Sequence, residues 1–336
     1  MKKHLRHWYH LLRATLWLLL AFARAARYFR YRAARDLALP HPETLNSQEK
    51  RRLQHYFYGT TYLSVVFCAL RGYPRSRREK HLFTNLAALA YFFDDLVDAD
   101  DSGILWQDNP EAFGRAADKR GLALHFLHNV YRELPPGNLA RFKDFMHRVF
   151  NLETAKRQTN RADSRGESAE LSDLQQVTAE KGGCSVLLFR SVLDHELTPP
   201  EQEAMYRFGY LVQLSDDIFD LWHDRQAGIA TVATCLAEKA DPAGLTRIFE
   251  EQVLATRQAF RTATDASSRN ATAGHAVHFI VAITRVCLRR YADLYRKHGT
   301  LPLDDRALLV VDMEKWPNRL RAMRELLTAD CCNRHL

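Results

Sequence analysis

Residues 208–220 read FGYLVQLSDDIFD, an apolar run that ends in the acidic pattern D-D-x-x-D. Asp216 and Asp220 are four residues apart, so they share one face if the segment is a helix. Like charges at this spacing repel each other, and aspartate is a poor helix former. Carboxylates beside an apolar, core-facing run also lose hydration at a large cost in free energy. The stretch therefore predicts a helix whose carboxylates are placed to meet a cation.

A second copy of this pattern ends the segment NLAALAYFFDDLVD at residues 85–98, where Asp94 and Asp98 are again four apart. One isolated acidic cluster is most often a solvated helix end. Two copies, each closing an apolar run, are much less expected by chance. All-oxygen donors favour Mg²⁺ or Mn²⁺, with water and substrate phosphate completing the coordination. We expect the two clusters to face each other across a helical bundle and to hold divalent ions and a diphosphate.

The composition predicts an all-α fold. Glycine is scarce, at 14 in 336 residues, and the eleven prolines divide the chain into segments with apolar residues at i, i+3 and i+4. No segment shows the alternation of a strand. Helix starts are expected at Ser47 and at Thr198, which precedes a Pro-Pro-Glu first turn. The predicted helices span residues 4–36, 46–72, 78–99, 110–133, 137–157, 168–194, 199–225, 242–265, 270–298 and 303–328.

The net charge of +8 is concentrated at the N-terminus. Residues 1–36 hold nine basic side chains and one acid, and the other 300 residues hold 39 of each sign. The body is therefore neutral, which argues against nucleic acid as a partner. We predict a basic amphipathic arm at residues 1–36 and one domain at 37–336. Six scattered cysteines without a C-x-x-C pattern favour reduced thiols and indicate no zinc site.

Within the arm, residues 14–23 are apolar but too short to span a membrane, which takes about 20 residues. On a helix, Arg6, Arg13 and Arg24 fall within about 20° of one another and form a basic stripe. Two interpretations stay open. The arm is an interfacial helix that meets anionic lipid, or its apolar side packs on the protein body. A secretory signal is less favoured.

A polar stretch at residues 156–173 carries three arginines and interrupts the apolar pattern. The more common structure for such a stretch is a solvated loop or a fraying helix. The alternative is a mobile lid that brings arginines to an anionic substrate. The sequence leaves both interpretations open.

Residues 178–231 resemble the class I isoprenoid synthases, which include trans-prenyl diphosphate synthases, squalene/phytoene synthases and terpene cyclases. The resemblance is carried by EKGG at 180–183, by the 208–220 segment with Gln213 three residues before Asp216, and by Gly228 and Thr231. Residues 85–98 resemble the first aspartate motif of these enzymes. The similar segments cover about a third of the chain.

This resemblance implies a single large antiparallel bundle of about ten helices around a central active-site cavity. It implies about three Mg²⁺ ions, with Mn²⁺ as a substitute, and a prenyl diphosphate substrate. The diphosphate would contact Lys181, Gln213 and Arg290. The implied metal ligands and catalytic residues are Asp94, Asp95, Asp98, Asp216, Asp217 and Asp220.

An ionised allylic substrate needs a dry pocket with polarisable walls, which aromatic faces supply through cation–π attraction. The candidates for these walls are Tyr62, Phe92, Phe93 and Tyr210. Each of them considered alone is more commonly a plain core residue.

Departures from the family pattern separate its subfamilies. No arginine pair follows Asp98, and the upstream basic group, residues 75–80, lacks the glycines of chain-elongating members. The Asn/Ser/Glu second motif of plant and fungal cyclases is also absent. The sequence is therefore most similar to bacterial class IB cyclases. The leading hypothesis is a terpene synthase that cyclises a linear C15–C25 prenyl diphosphate and releases diphosphate.

Two other functions remain open. The first is a prenyltransferase, either chain-elongating or joining two chains head to head. The second is a non-catalytic family member that serves as a membrane-associated binding partner. Prenyl diphosphates and Mg²⁺ are cytosolic, so we expect a cytoplasmic protein, at the inner face of the membrane if the arm binds lipid. A homodimer is compatible with the sequence.

Overall fold

The structure is a computed structural model that describes residues 2–33, 45–98, 119–163, 170–264, 269–313 and 315–328. Those ranges contain thirteen α-helices and no strand, which confirms the all-α prediction. The helices are α1 (Lys2–Tyr28), α2 (Ser47–Arg71), α3 (Arg77–Asp98), α4 (Lys119–Glu133), α5 (Pro136–Asp163), α6 (Leu171–Arg190), α7 (Pro199–Phe219), α8 (Leu221–Gln226), α9 (Val232–Glu238), α10 (Pro242–Ala263), α11 (Arg269–His298), α12 (Arg306–Leu309) and α13 (Trp316–Thr328). A π-helical turn, Phe29–Ala33, follows α1.

Side-chain caps fix the helix starts that the sequence indicates. Asn46 accepts hydrogen bonds from the backbone N–H groups of Gln48 and Glu49, and the Glu49 carboxylate accepts one from the backbone N–H of Asn46. This capping box satisfies donors that have no partner in the first turn of α2. Thr198 caps α7 by a single hydrogen bond, which its hydroxyl accepts from the backbone N–H of Glu201, with prolines in the first turn. Both predicted starts are therefore confirmed.

Some predicted helices are interrupted in the structure. The helix predicted at 199–225 is divided at Asp220, and the one predicted at 303–328 is divided between α12 and α13. A further short helix, α9, was not predicted. It begins because Thr231 and Thr234 form a capping box directly after a turn in which Gly228 has a φ of +66°. Such local hydrogen bonding is hard to recognise among apolar residues.

Other differences concern helix ends. Helix α1 changes to the π-helical turn at Phe29, before the predicted end at residue 36. Because residues 34–44 lie outside the described part, the division between arm and body at residue 36 stays a prediction. In the polar stretch, α5 continues to Asp163, and residues 164–169 are likewise outside the described part. The proposed lid therefore also stays a prediction.

The chain divides into two compact units, which are described separately. The first comprises Met1–Asp144 and Leu188–Glu196. In it, α3 and α4 run antiparallel, because His81 contacts Glu133 at 2.8 Å while Asn129 donates to Asn85 at 3.1 Å. Helix α2 packs against both α3 and α1.

An ion-pair network closes the connection between α2 and α3 in this unit. The Arg71 guanidinium donates to both Glu79 carboxylate oxygens at 2.5 and 2.7 Å, and both side chains are buried. The backbone N–H groups of Ser76 and Asp194 donate to the same carboxylate. Burial by itself raises the pKa of Glu79, but the hydrogen bonds from Arg71, Asp194 and Ser76 outweigh it and bring that pKa down to about 2.

The second unit comprises Phe145–Leu187 and Leu197–Leu336. Helix α7 is at its centre and packs against α10 and α11. Its core-facing residues Phe208, Leu211 and Leu214 are fully buried. Helices α10 and α11 run antiparallel, because Arg285 of α11 binds Glu250 of α10 at 2.6 and 2.7 Å while Arg257 of α10 lies 3.5 Å from His278 of α11.

Candidate functional site

The second acidic motif occupies the last turn of α7. Leu214 and Ile218 are fully buried on one side of the helix. Asp216 is exposed on another side, and Asp220 is exposed at the C-cap. The i,i+4 spacing thus separates a core face from a carboxylate face, as the sequence predicts. Among these aspartates Asp217 is the exception, since its side chain is buried.

Asp217 is held by two neighbouring side chains. The hydroxyl of Thr178 on α6 donates a hydrogen bond of 3.1 Å to its Oδ2, and the Gln213 amide donates one of 3.0 Å to its Oδ1. A buried carboxylate requires such donors, because an unsatisfied charge there is costly. Gln213 also lies 3.4 Å from Oδ2 of Asp216. In this structure Gln213 therefore orients the aspartates.

The electrostatics of the motif resist full ionisation. The pKa of Asp216 is raised to about 7, first by burial among protein atoms and then by the charges of Asp220 and Asp217, while Lys181 opposes the rise. Solvent still reaches the side chain. Burial likewise raises the pKa of Asp220, where His223 acts in the opposite sense. Three carboxylates close to one ammonium group leave an excess of negative charge. A bound cation would relieve this excess.

A glycine contact between α6 and α7 positions these groups. A Cβ atom added to Gly182 would lie 2.2 Å from the carbonyl oxygen of Gly209, and one added to Gly209 would lie 2.2 Å from that of Gly182. The two helices therefore touch backbone to backbone. This close approach lets Thr178 reach Asp217 and brings Lys181 near enough to lower the pKa of Asp216. The EKGG segment and the Phe-Gly of α7 are thus two sides of one helix crossing.

The donor set of the motif is entirely oxygen, the type that Mg²⁺ prefers. Within the part of the chain that the structure describes, no three His, Cys, Asp or Glu side chains are arranged to hold a metal ion. The described carboxylates match a hard divalent cation in donor type only, because as they stand they do not form a metal site. Metal binding by Asp216, Asp217 and Asp220 therefore stays a prediction.

The first acidic motif lies in the last turn of α3, in the other unit. The hydroxyl of Tyr56 on α2 donates a 2.5 Å hydrogen bond to Oδ2 of Asp94, and Arg52 lies 3.9 Å from the same oxygen. The Asp94 side chain is half exposed. The helix backbone is described through Asp98, but the side chains of Asp95 and Asp98 lie outside the described part.

The four aromatic residues expected to line a pocket are all buried. Phe92 is fully buried and stacks on Phe126, with ring centroids 5.7 Å apart. Tyr62 and Phe93 are each more than nine-tenths buried, as is Tyr210. Burial, followed by the Asp217 charge, raises the pKa of Tyr210 to about 12, so its hydroxyl stays neutral at physiological pH. Their role as pocket walls stays a prediction.

Arg290 lies on α11 and faces the segment that follows that helix. Its Nε donates a 3.0 Å hydrogen bond to the carbonyl oxygen of Leu308, and it lines a cavity of about 160 Å³ together with Lys315 and Arg321. The adjacent Tyr291 is the residue that reaches the second motif, because its hydroxyl donates a 2.7 Å bond to the carbonyl oxygen of Ile218. Contact between Arg290 and a diphosphate stays a prediction.

Two residues beside the aspartates were not predicted from sequence to have a role. Thr178 precedes Lys181 by three residues, so their shared helix face was a usable signal. Tyr56 lies 38 residues before Asp94, and nothing local to either residue indicates that they meet. Both hydroxyls fix the position of a carboxylate.

Comparisons with known proteins define the fold. No protein-family model matches the chain, and no curated protein matches it significantly. The structure is similar to the crystal structure of a geranyltransferase from Legionella pneumophila, with a TM-score of 0.50 and 13% sequence identity over 80% of this chain and 97% of that chain. At this identity the similarity shows the fold alone. The chain has an all-α fold of the isoprenoid synthase type.

Proposed function

We propose that this protein is a Mg²⁺-dependent class I isoprenoid synthase that ionises a linear prenyl diphosphate. The observation that carries the proposal is the carboxylate cluster of Asp216, Asp217 and Asp220, with Lys181 beside it at the glycine crossing of α6 and α7. The cluster combines excess negative charge, oxygen donors and one nearby ammonium group. This combination suits a metal–diphosphate pair.

Asp216 and Asp220 would bind metal directly, because both are exposed carboxylates whose charge the surroundings disfavour. Asp217 would serve as a ligand whose geometry Thr178 and Gln213 fix. The proposed ligands of the first motif are Asp94, Asp95 and Asp98. We propose about three Mg²⁺ ions, for which Mn²⁺ is a substitute. When bound, these ions would spread the charge of the diphosphate so that the allylic C–O bond can break.

Other residues would bind and shield the substrate. Lys181 would hold the diphosphate as a point charge, with Gln213 and Arg290 as further donors. Tyr62, Phe92, Phe93 and Tyr210 would surround the hydrocarbon chain, exclude water and stabilise positive charge on carbon. Neutral tyrosine hydroxyls serve this better than ionised ones, because a phenolate would trap the cation.

The reaction that we favour is cyclisation of a C15–C25 diphosphate with release of diphosphate. Its support is the sequence after Asp98, Ala-Asp-Asp-Ser-Gly, which lacks the arginine pair expected of an enzyme that holds a second diphosphate. A prenyltransferase is the second candidate. It is favoured by the fold similarity to a protein named as a geranyltransferase.

Incubation of the protein with C15, C20 and C25 prenyl diphosphates, with and without isopentenyl diphosphate, distinguishes these reactions. A cyclase yields a hydrocarbon or alcohol from one substrate alone. A longer diphosphate that appears only with isopentenyl diphosphate would instead establish a prenyltransferase, and a head-to-head product would establish a squalene/phytoene-type enzyme. Absence of any product would favour a non-catalytic binding partner.

The proposed substrate also bears on location and assembly. Prenyl diphosphates and Mg²⁺ are cytosolic, so we place the protein in the cytoplasm. Within the described ranges, no helix has the length and hydropathy that crossing a membrane requires. A homodimer remains part of the proposal, and light scattering of the purified chain would test it.

A further inference from the structure

Helix α1 and the π-helical turn after it pack against the rest of the first unit along one side. Leu18 is only 4% exposed, Phe22 meets Tyr58 edge to face at 5.8 Å, and Phe29 meets Phe57 at 5.3 Å. The apolar side expected to pack on the body therefore does so, against α2. This packing accounts for only part of the apolar sequence of the helix.

The opposite side of α1 presents leucines to solvent. Leu12, Leu16, Leu19 and Leu20 are 71, 56, 59 and 45% exposed. At about 100° per residue these four side chains fall within an arc of about 100°. The described residues include eleven exposed large apolar side chains, and four of them lie within residues 12–20 of α1. Such a concentration on a short surface marks an interaction site.

Basic residues extend the same face toward the C-terminal end of the helix. Arg24, Arg27 and Arg30 are all exposed. Arg27 falls within the angular range of the leucines, Arg24 lies about 40° outside it, and Arg30 belongs to the π-helical turn that follows α1. Residues 1–36 also hold the whole net charge of +8, since the rest of the chain is balanced. The exposed face therefore has an apolar half and a cationic half.

We infer that the exposed leucines of α1, Leu12, Leu16, Leu19 and Leu20, together with the exposed arginines that follow them, Arg24, Arg27 and Arg30, bind the surface of a membrane that contains anionic lipid. The leucines enter the boundary between headgroups and acyl chains, and the arginines meet lipid phosphates. The helix, about 40 Å long, lies in the plane of the membrane. A second copy of the chain fits less well, because two such arms would bring like charges together.

The test measures binding of the full chain to vesicles by co-sedimentation. Vesicles of phosphatidylglycerol and phosphatidylcholine in equal amounts are compared with vesicles of phosphatidylcholine alone. We expect binding to the anionic vesicles that weakens as salt is added. The double variant Leu16→Ser/Leu19→Ser should reduce the partition coefficient about tenfold or more, because two apolar side chains no longer enter the lipid.

The matched control is Leu254→Ser/Leu320→Ser, which removes two leucines that are each 47% exposed on α10 and α13. It should bind as the unchanged chain does. A second variant, Arg24→Gln/Arg27→Gln/Arg30→Gln, alters only exposed side chains and should bring binding to anionic vesicles down to the level on phosphatidylcholine. Circular dichroism confirms that each variant is folded.

Equal binding of the unchanged chain and both α1 variants would overturn the inference, as would absence of binding to anionic vesicles. A dimer that Leu16→Ser/Leu19→Ser converts to a monomer, without any vesicle binding, would show that the face instead meets a second copy. The vesicle assay needs no prenyl diphosphate. Its outcome is therefore independent of the proposed reaction.

Discussion

Gly182 of α6 and Gly209 of α7 leave no space between them for a side chain. A Cβ atom on either residue would lie 2.2 Å from the carbonyl oxygen of the other. Because these atoms belong to backbone, the neighbour cannot turn aside as a flexible side chain could. The contact sets the distance between two helices that carry Thr178, Lys181 and the second aspartate motif.

We therefore predict that Gly209→Ala destabilises the protein by about 1–3 kcal/mol, through overpacking at the crossing. The matched control is Gly59→Ala, at a helical glycine whose added Cβ would meet nothing within 4 Å. That substitution should be neutral or stabilising by up to about 1 kcal/mol, since alanine favours helix. Urea unfolding measures both. Equal stability of the two variants would mean that α6 and α7 are farther apart.

Replacement of Thr178 by valine removes a hydroxyl at nearly constant shape. The buried Asp217 then loses a donor, and we expect a loss of about 1–3 kcal/mol in the free energy of unfolding. Because Thr178 orients a proposed metal ligand, kcat/KM should also fall by about 10–100-fold. The control Thr178→Ser keeps the hydroxyl and should retain most of the free energy of unfolding and most of kcat/KM. A valine variant as stable and as active as the unchanged chain would contradict a role for the hydrogen bond to Asp217.

The Arg71–Glu79 ion pair predicts how the free energy of unfolding changes with pH under acidic conditions. The pKa of Glu79 is about 2 in the folded protein, below its usual value of 4.5. Its contribution is therefore fully present above about pH 4.5 and is lost as the pH falls toward 2, and its size is about 3 kcal/mol. Urea unfolding across this range should show a steeper loss for the unchanged chain than for Glu79→Gln.

The control for that experiment is Glu203→Gln, which removes an exposed i,i+4 pair with Arg207. Such pairs contribute less than about 1 kcal/mol, so the pH profile should stay close to that of the unchanged chain. At neutral pH, Glu79→Gln should be much less stable than this control, because it leaves Arg71 buried without its carboxylate partner. Similar behaviour of the two variants would contradict the buried network.

Lys181 provides a test on diphosphate binding alone. We expect Lys181→Gln to weaken binding of inorganic diphosphate in the presence of Mg²⁺ by roughly tenfold, which is the loss of one charge-assisted contact. Lys239→Gln is the control, because Lys239 is an exposed residue just after α9. Titration calorimetry measures both affinities. If Lys181→Gln leaves the affinity for diphosphate unchanged, Lys181 does not contact the diphosphate.

Much of the fold was accessible from local sequence. Proline positions and apolar spacing located the long helices, and Thr198 with its following prolines located the start of α7. The break at Asp220 was not accessible, because no glycine or proline marks it and apolar residues continue on both sides. The hydroxyl of Tyr291 on α11 donates to the carbonyl oxygen of Ile218 beside the break, and no local pattern encodes that contact.

The candidate site likewise has residues that the sequence indicates and contacts that depend on packing. The aspartates, Lys181 and Gln213 were recognisable because motif and spacing lie within one or two helices. The bond from Tyr56 to Asp94 joins α2 to α3 and depends on how those helices pack. The Gln213 amide binds Asp217 in this structure, and its contact with a diphosphate stays a prediction. The sequence therefore predicts the groups that would carry the chemistry, whereas helix packing decides which neighbouring side chains orient them.

The most direct test of the account is release of diphosphate from C15, C20 and C25 prenyl diphosphates, measured with Mg²⁺ and after its removal by a chelator. The matched variants are Asp216→Asn and Asp220→Asn, which keep shape and remove a carboxylate charge, and the folded control is Leu254→Ser. The account predicts release that requires Mg²⁺ and falls at least about a hundredfold in both aspartate variants. Release that persists without divalent ions, or that both variants retain in full, would contradict it.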